Sequence, residues 1–276
     1  MEEWFEMNRE EIKICIIRVP GTNRDYDVKR VFDYLRVNSE IIRLNKFTSG
    51  KKSLLDYHTL IFPGGFAHGD RIRSGAIWAK TLIYKLQHEV KQYLNEGRPI
   101  LGICNGMQVL IEAGLIPGLE GVSEYPKAAM ATNASAHFEC RWVYLKNFSR
   151  GNCLFTSNMQ PGQIIQTPVC HGEGRFLLPK NDENKILKEL EDNDQIVFRY
   201  CDKEGEVAKG KYPTNPNGAF DDIASICNPD GNVLAFMPHP EDAIFWHQFP
   251  DWSRTTFRGE GEAVNIFKGL VNYLLR

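Results

Sequence analysis

Apolar residues cluster into short runs that alternate with stretches of helical period. Ile12 to Val19 (IKICIIRV) is rich in β-branched residues and stops at Pro20-Gly21, which predicts a strand. Val28, Val31, Phe32 and Leu35 then share one helical face. Glu40 to Leu44 predicts a second strand, and Thr59 to Phe62 a third that ends in Pro63-Gly64-Gly65. From Ala76 to Asn95 the apolar residues Ala79, Leu82, Ile83, Leu86, Val90, Tyr93 and Leu94 keep a helical period that Gly97 closes. Ile100 to Ile103 is a fourth apolar run, followed by a helix from Asn105. Strands this apolar, alternating with helices, predict an α/β fold with a mostly parallel sheet covered on both faces.

The pattern changes after Gly114. Shorter strands are expected at Glu139 to Leu145 and Gln163 to Val169, with one helix near Asn184 to Glu191. Ala224 to Ile226 and Val233 to Phe236 flank Asn228-Pro229-Asp230-Gly231, a hairpin signal. Val264, Phe267, Val271 and Leu274 predict a last amphipathic helix. No repeat or linker interrupts the chain, so a single domain over 1–276 is expected, with residues 1–11 as an N-terminal extension and a β-rich region added in the second half.

Composition narrows the class without naming a function. The 276 residues are enough for one large core. The formal net charge of -2 offers no basic excess for nucleic acid or an anionic membrane surface. The opening MEEWFEMNREE lacks the cationic and apolar segments of a signal peptide, and no run of about 18 apolar residues is present. Seven scattered cysteines without CxxC pairs predict a reduced, cytoplasmic protein without a disulfide framework or a zinc site.

One cysteine stands apart. Cys104 lies in Gly102-Ile103-Cys104-Asn105-Gly106, a G-x-C-x-G at a strand-to-helix junction. Glycines two residues to either side let a sharp turn pack closely while the nucleophile is held above the sheet edge. The N-terminus of the following helix favours a thiolate. The other six cysteines read as small buried thiols. A nucleophilic Cys needs a base, and the base an orienting group. In Met237-Pro238-His239-Pro240-Glu241 the second proline pushes His239 toward an extended conformation. Residues i and i+2 of an extended chain point the same way, so Glu241 is expected beside His239. His68 and His171 are competing bases; His171 ranks second, because the glycines around its own Glu173 leave the geometry open. Pro63-Gly64-Gly65 closes a neighbouring parallel strand, where a glycine N–H can approach a substrate and donate to an oxyanion, or merely make a tight turn.

Other motifs fail on spacing. Ser49-Gly50-Lys51-Lys52-Ser53 lacks the G-x-x-x-x-G of a P-loop, and no G-x-G-x-x-G follows the first strand. The aromatic group Phe245, Trp246, Phe249 and Trp252 reads as a satellite core under a loop, with a partner surface as the alternative.

Taken together, PGG after one strand, GICNGMQ at an elbow and PHPE near the end resemble the class I, triad-type glutamine amidotransferases. PGTNRD (20–25), FPGGFAHGDRIRSGAIWA (62–79), NAS (133–135) with FECRW (138–142), HGEGRF (171–176) and MPHPE (237–241) resemble, more closely, the glutaminase subunits of phosphoribosylformylglycinamidine synthase. The resemblance runs from Ile12 to the last helix and implies a flavodoxin-like amidotransferase fold. It implies Cys104 as nucleophile, His239 as general base and acid, and Glu241 as its orienting group. Gly65 and Asn105 match the backbone donors of an oxyanion hole. Gln108 matches a glutamine-pocket residue, and His171, Gly172, Glu173 and Gly174 match a loop that walls the pocket. The implied reaction is glutamine hydrolysis, with ammonia passed to a large synthetase subunit in purine biosynthesis. The resemblance further implies ATP and Mg on that partner, no cofactor in this chain, and a small bridging subunit. Three positions depart from the pattern: Arg24, where a small residue is common, His137 before the Phe of FECRW, and Asp242, where some relatives carry Arg. Alternatives are another amidotransferase, a γ-glutamyl hydrolase, an intracellular peptidase of related fold, or a non-catalytic relative.

Overall fold

The computed structural model describes residues 8–276, so the expected N-terminal extension lies outside the described residues as far as position 7. The first half is built as the alternation predicts: β1 (Lys13–Arg18), α1 (Asp25–Tyr34), β2 (Asn38–Arg43), α2 (Leu44–Thr48), β3 (Thr59–Phe62), α3 (Ala76–Asn95), β4 (Ile100–Ile103) and α4 (Asn105–Glu112). The second half adds β5 (Ala129–Ala131), β6 (Glu139–Asn147), β7 (Ile164–His171), β8 (Arg175–Leu177), α5 (Glu183–Asp192), β9 (Ile196–Cys201), β10 (Ile223–Cys227), β11 (Val233–Phe236) and α6 (Val264–Leu274).

Nine strands form one sheet in the order β2-β1-β3-β4-β11-β10-β9-β6-β7. The five strands from β2 to β11 run parallel, and β10, β9, β6 and β7 continue antiparallel from the β11 edge. The β-rich second half is therefore a continuation of the central sheet rather than a separate layer. Only β5 and β8 pair apart from it.

Right-handed crossovers set the two covering layers. The chain leaves β1 in one direction, through α1 to β2, and returns in the other through β3, α3, β4 and α4 to β11. Helix α1 therefore covers one face and α3 and α4 the other. On the first face Phe32 of α1 meets Phe267 of α6 edge-on, 5.7 Å apart; on the second, Phe62 of β3 packs on Trp78 of α3 at 5.4 Å. Strands β3, β4 and β11 are buried throughout, which explains why they read as unbroken apolar runs rather than alternations.

The direction change between β1 and β3 makes a topological switch point, the usual place for a ligand crevice beyond the strands' carboxyl ends. Register levels the three motif-bearing strands there. Phe62 pairs with Gly102, and Ala235 and Phe236 pair with Gly102 and Ile103. Residues 63–65, 104 and 237–239 thus leave the sheet side by side.

Candidate active site

The turn at Cys104 is made possible by what the flanking glycines lack. A Cβ on Gly106 would run into the backbone carbonyl of Phe62 on β3, and one on Gly102 would sit 2.7 Å from the Gly106 carbonyl. Cys104 itself is held at φ 51°, ψ −105°, a strained conformation for a residue with a side chain. Its N–H donates to the Phe236 carbonyl at 2.7 Å, which ties the elbow to β11. Val109, Leu110 and Ile111 then anchor α4 in the core with no exposed surface.

His239 follows β11 and is fixed by its backbone N–H, which donates to the Pro168 carbonyl of β7 at 2.8 Å. The imidazole Nδ1 lies 2.7 Å from Glu241 Oε1, and His239 and Glu241 are 2 % and 1 % exposed. The sequence reading expects this contact from an extended run. The chain instead curls Pro240–Asp242 into one 3-10 turn, with His239 extended (φ −109°, ψ 86°) at its N-cap and Pro240 starting the turn. The carboxylate is brought to the ring by a tight turn, not by the pleat of a strand.

The other ring nitrogen, Nε2, is buried without a hydrogen-bond partner. Cys104 is close enough for its charge to act on the ring, but its thiol leans on the Cys170 carbonyl at 3.8 Å. Burial alone would lower the His239 pKa; the Glu241 and Cys104 charges outweigh it, and the net shift is well upward.

Gly64 and Gly65 close against this pair. A Cβ on Gly64 would stand 2.8 Å from His239 Cε1 and 3.4 Å from Cys104 Cβ. Gly65 has φ 141°, a conformation open to glycine. Among the described residues, the N–H groups of Gly65 and Asn105 have no protein acceptor. The Asn105 side chain accepts from Ala67 N–H at 3.2 Å, linking the elbow to the Pro63-Gly64-Gly65 loop.

The remaining predicted residues form a wall. Gln108 is spent within the protein: its Oε1 accepts from Asn105 Nδ2 at 2.8 Å, and its Nε2 donates to the Glu173 carbonyl at 2.7 Å. The Glu173 carboxylate accepts from Ser74 N–H at 3.1 Å. Gly174 passes under the His171 ring so closely that a Cβ would clash with it. His171 is 3 % exposed with neither ring nitrogen partnered. Burial, and then the charge of His239, hold its pKa down at about 3. His68 lies elsewhere, on the loop after β3, with no carboxylate hydrogen-bonded to its ring.

Two further residues, given no role by the sequence, tie the site together. Asn133 pins the 171–174 loop: its N–H donates to the Gly172 carbonyl at 2.9 Å, its Nδ2 to the His171 carbonyl at 2.8 Å, and its Oδ1 accepts from Gly174 N–H at 2.9 Å. Arg24 forms ion pairs with Asp27 at 3.3 Å and Asp242 at 3.1 Å, joining two of the departing positions. His239, Glu241 and Asp242 bring donor atoms within 4.8 Å of one another, but Glu241 is engaged by His239 and Asp242 by Arg24. The third departure, His137, lends its carbonyl to Asn133 Nδ2 at 2.9 Å and its N–H to Ser135 Oγ at 3.4 Å.

The model of the CobB/CobQ-like glutamine amidotransferase domain matches residues 11–274. Phosphoribosylformylglycinamidine synthase subunit PurQ of Archaeoglobus fulgidus is 41 % identical over 277 residues, covering 97 % of this chain and 99 % of that one. The chain belongs to the PurQ family of glutamine amidotransferases. PurQ of Methanococcus maripaludis strain C7 is 36 % identical, covering 95 % and 97 % of the two chains. The solved PurLQS structure from Thermotoga maritima superposes with a TM-score of 0.70 at 29 % identity, covering 95 % of this chain and 99 % of that one. The glutaminase domain of Trypanosoma brucei CTPS shares the fold, with a TM-score of 0.54 at 14 % identity. Two blocks quoted for the PurQ resemblance, FPGGFAHGDRIRSGAIWA and HGEGRF, lie against the elbow: Ser74 and Glu173 meet each other, and Glu173 meets Gln108.

Proposed function

We propose that this chain hydrolyses glutamine through Cys104, His239 and Glu241, and that a separate ATP-dependent synthetase consumes the ammonia. As a PurQ protein it is the glutaminase component of phosphoribosylformylglycinamidine synthase in purine biosynthesis. The carrying observation is the buried His239–Glu241 pair at 2.7 Å, whose free Nε2 sits beside a cysteine on a strained strand-to-helix elbow.

The chemistry follows from these positions. Glu241 holds Nδ1–H and leaves Nε2 to take the Cys104 proton. The thiolate attacks the side-chain amide carbon of glutamine. The oxyanion accepts from the N–H groups of Gly65 and Asn105, and loss of one such donor typically costs about 10²–10³ in rate. His239 returns its proton to the departing ammonia, leaving a γ-glutamyl thioester, and then takes a proton from the water that hydrolyses it. The 171–174 loop, tied to α4 through Gln108, supports one wall of the substrate site.

The partner is a large synthetase subunit that binds ATP, Mg and formylglycinamide ribonucleotide, joined by a small bridging subunit; the similar solved structure from Thermotoga maritima is that of PurLQS, which supports a synthetase partner. The burial of the site favours dependence on that partner. Cys104 is 5 % exposed, with its thiol 3.8 Å from the Cys170 carbonyl, so glutamine reaches it only when the site opens. The test is Cys104→Ala in the assembled enzyme. Glutamine-dependent synthesis should vanish while synthesis from added ammonia continues. Persistence of the glutamine-dependent rate would refute the assignment of the nucleophile.

A further inference from the structure

Arg24 connects two parts of the site that no backbone ladder joins. Its own N–H donates to the Gly64 carbonyl at 3.3 Å, seconded by Asn23 N–H at 3.5 Å. In a trans peptide the C=O and the following N–H point in opposite directions. Holding the Gly64 oxygen therefore sets the direction of the Gly65 N–H, the donor assigned above to the oxyanion. The side chain runs the other way. Its Cγ would lie 3.3 Å from a Cβ on Gly64, the same point that lies 2.8 Å from His239 Cε1, so stem and imidazole flank one glycine. The guanidinium then reaches Asp242 Oδ2 at 3.1 Å, on the turn that carries Glu241.

We propose that Arg24 is a positioning residue of the glutaminase site: it fixes the Gly64–Gly65 peptide through its backbone and the His239–Glu241 turn through its guanidinium. This rests on the glutaminase reading given above and deepens it. The two loops follow β3 and β11, which are separated in the sheet by β4.

The charges around the guanidinium are few. Asp242 and Glu241 face it from the turn and Asp27 from α1, while Arg30 shares Asp27 at 3.3 Å. His239 brings a ring nitrogen within 4.8 Å of the Asp242 carboxylate, and the Cys104 charge acts on that ring. Burial and then the Glu241 charge raise the Asp242 pKa to about 6, against the opposing charges of Arg24 and His239. Without the arginine, two carboxylates on one turn lose their cation. The His239 imidazole then sits in a more negative field and keeps its proton to higher pH.

The experiment uses the assembled synthetase complex with Arg24→Ala, Arg24→Lys and Asp242→Asn in this chain. Arg24→Ala should lower kcat/KM for glutamine by roughly ten- to hundredfold, the scale of a small misplacement of reacting groups. Synthesis from added ammonia should stay unchanged. The acid limb of the glutamine-dependent pH profile should move to higher pH in Arg24→Ala, return in Arg24→Lys, and move to lower pH in Asp242→Asn. An Arg24→Ala enzyme within twofold of wild type, an unmoved acid limb, or an equal loss of the ammonia-dependent rate would overturn the proposal. Cys104→Ala in the same assay separates the two readings: if it keeps glutamine-dependent synthesis, the glutaminase assignment fails, whatever Arg24 does.

Discussion

A single methyl group probes how tightly the site is closed. Gly64 is not among the glycines with positive φ, so alanine there is opposed mainly by its Cβ, which would press on His239 Cε1 at 2.8 Å. Gly64→Ala should lower glutamine-dependent kcat at least about 10²-fold with little change in melting temperature, because the displaced group is the base itself. Kinetics and thermal unfolding on the same preparation check both halves. His171 makes a different prediction. Its folded pKa of about 3 lies below the ordinary value of 6.5, so in that interval the unfolded chain binds the proton and the folded chain does not. Stability should fall as pH drops from 6.5 toward 3, by at most about 1.4 kcal/mol per pH unit from this group. Urea unfolding at pH 7 and pH 5 should show a smaller difference in His171→Gln than in wild type. The three residues with the most distinctive chemistry, Cys104, His239 and Glu241, are legible in the sequence because each sits in a motif at a strand end. Arg24 and Asp242 stand out in the sequence only as departures from the family pattern, and Asn133 only as part of the NAS block. Their roles come from pairings across the sheet that depend on strand order.

The elbow and the turn are the elements that turn strand ends into a site. The elbow works because β3 and α4 approach at Gly106 with no room for a side chain. Gly106→Ala must separate them and should cost about 1–3 kcal/mol of stability, the usual price of overpacking, together with activity. Chemical denaturation measures the first and the glutamine assay the second. At this scale the fold was largely readable. The apolar runs at β1, β3, β4 and β11 and the helical faces of α1, α3 and α6 carry strong period signals, and the structure places all of them. The misses have physical reasons. Leu44, read as the end of a strand, opens the short helix α2. Strand β9 escaped because Arg199 interrupts its apolar run, and β5 and β8 are three residues each, too short for a pattern to register. The His239–Glu241 contact was expected for a reason that does not hold, since Pro240 starts a 3-10 turn.

Across the whole molecule, the sheet separates two tasks. Its parallel half lines up three strand ends at a switch point, and its antiparallel half supplies the wall: β7 provides the Cys170 carbonyl that holds the thiol and the Pro168 carbonyl that holds His239. No helix among the described residues is long and apolar enough to cross a membrane. The site is buried, with Cys104, His239 and Glu241 at 5 %, 2 % and 1 % exposed. Glutamine turnover by the isolated chain should therefore be at least about tenfold slower than in the assembled synthetase, a difference that glutamate release measures directly; equal rates would remove the partner from the activation step. The central claim is that Cys104, alone among the seven cysteines, is an activated nucleophile in a glutamine site. The most direct measurement is peptide mass spectrometry after the assembled enzyme reacts with the glutamine-like electrophile diazo-oxo-norleucine. The account predicts a single adduct on Cys104, suppressed by excess glutamine and absent when His239 is replaced by alanine. An adduct on another cysteine, or an unmodified Cys104 in a complex that still makes product from glutamine, would contradict it.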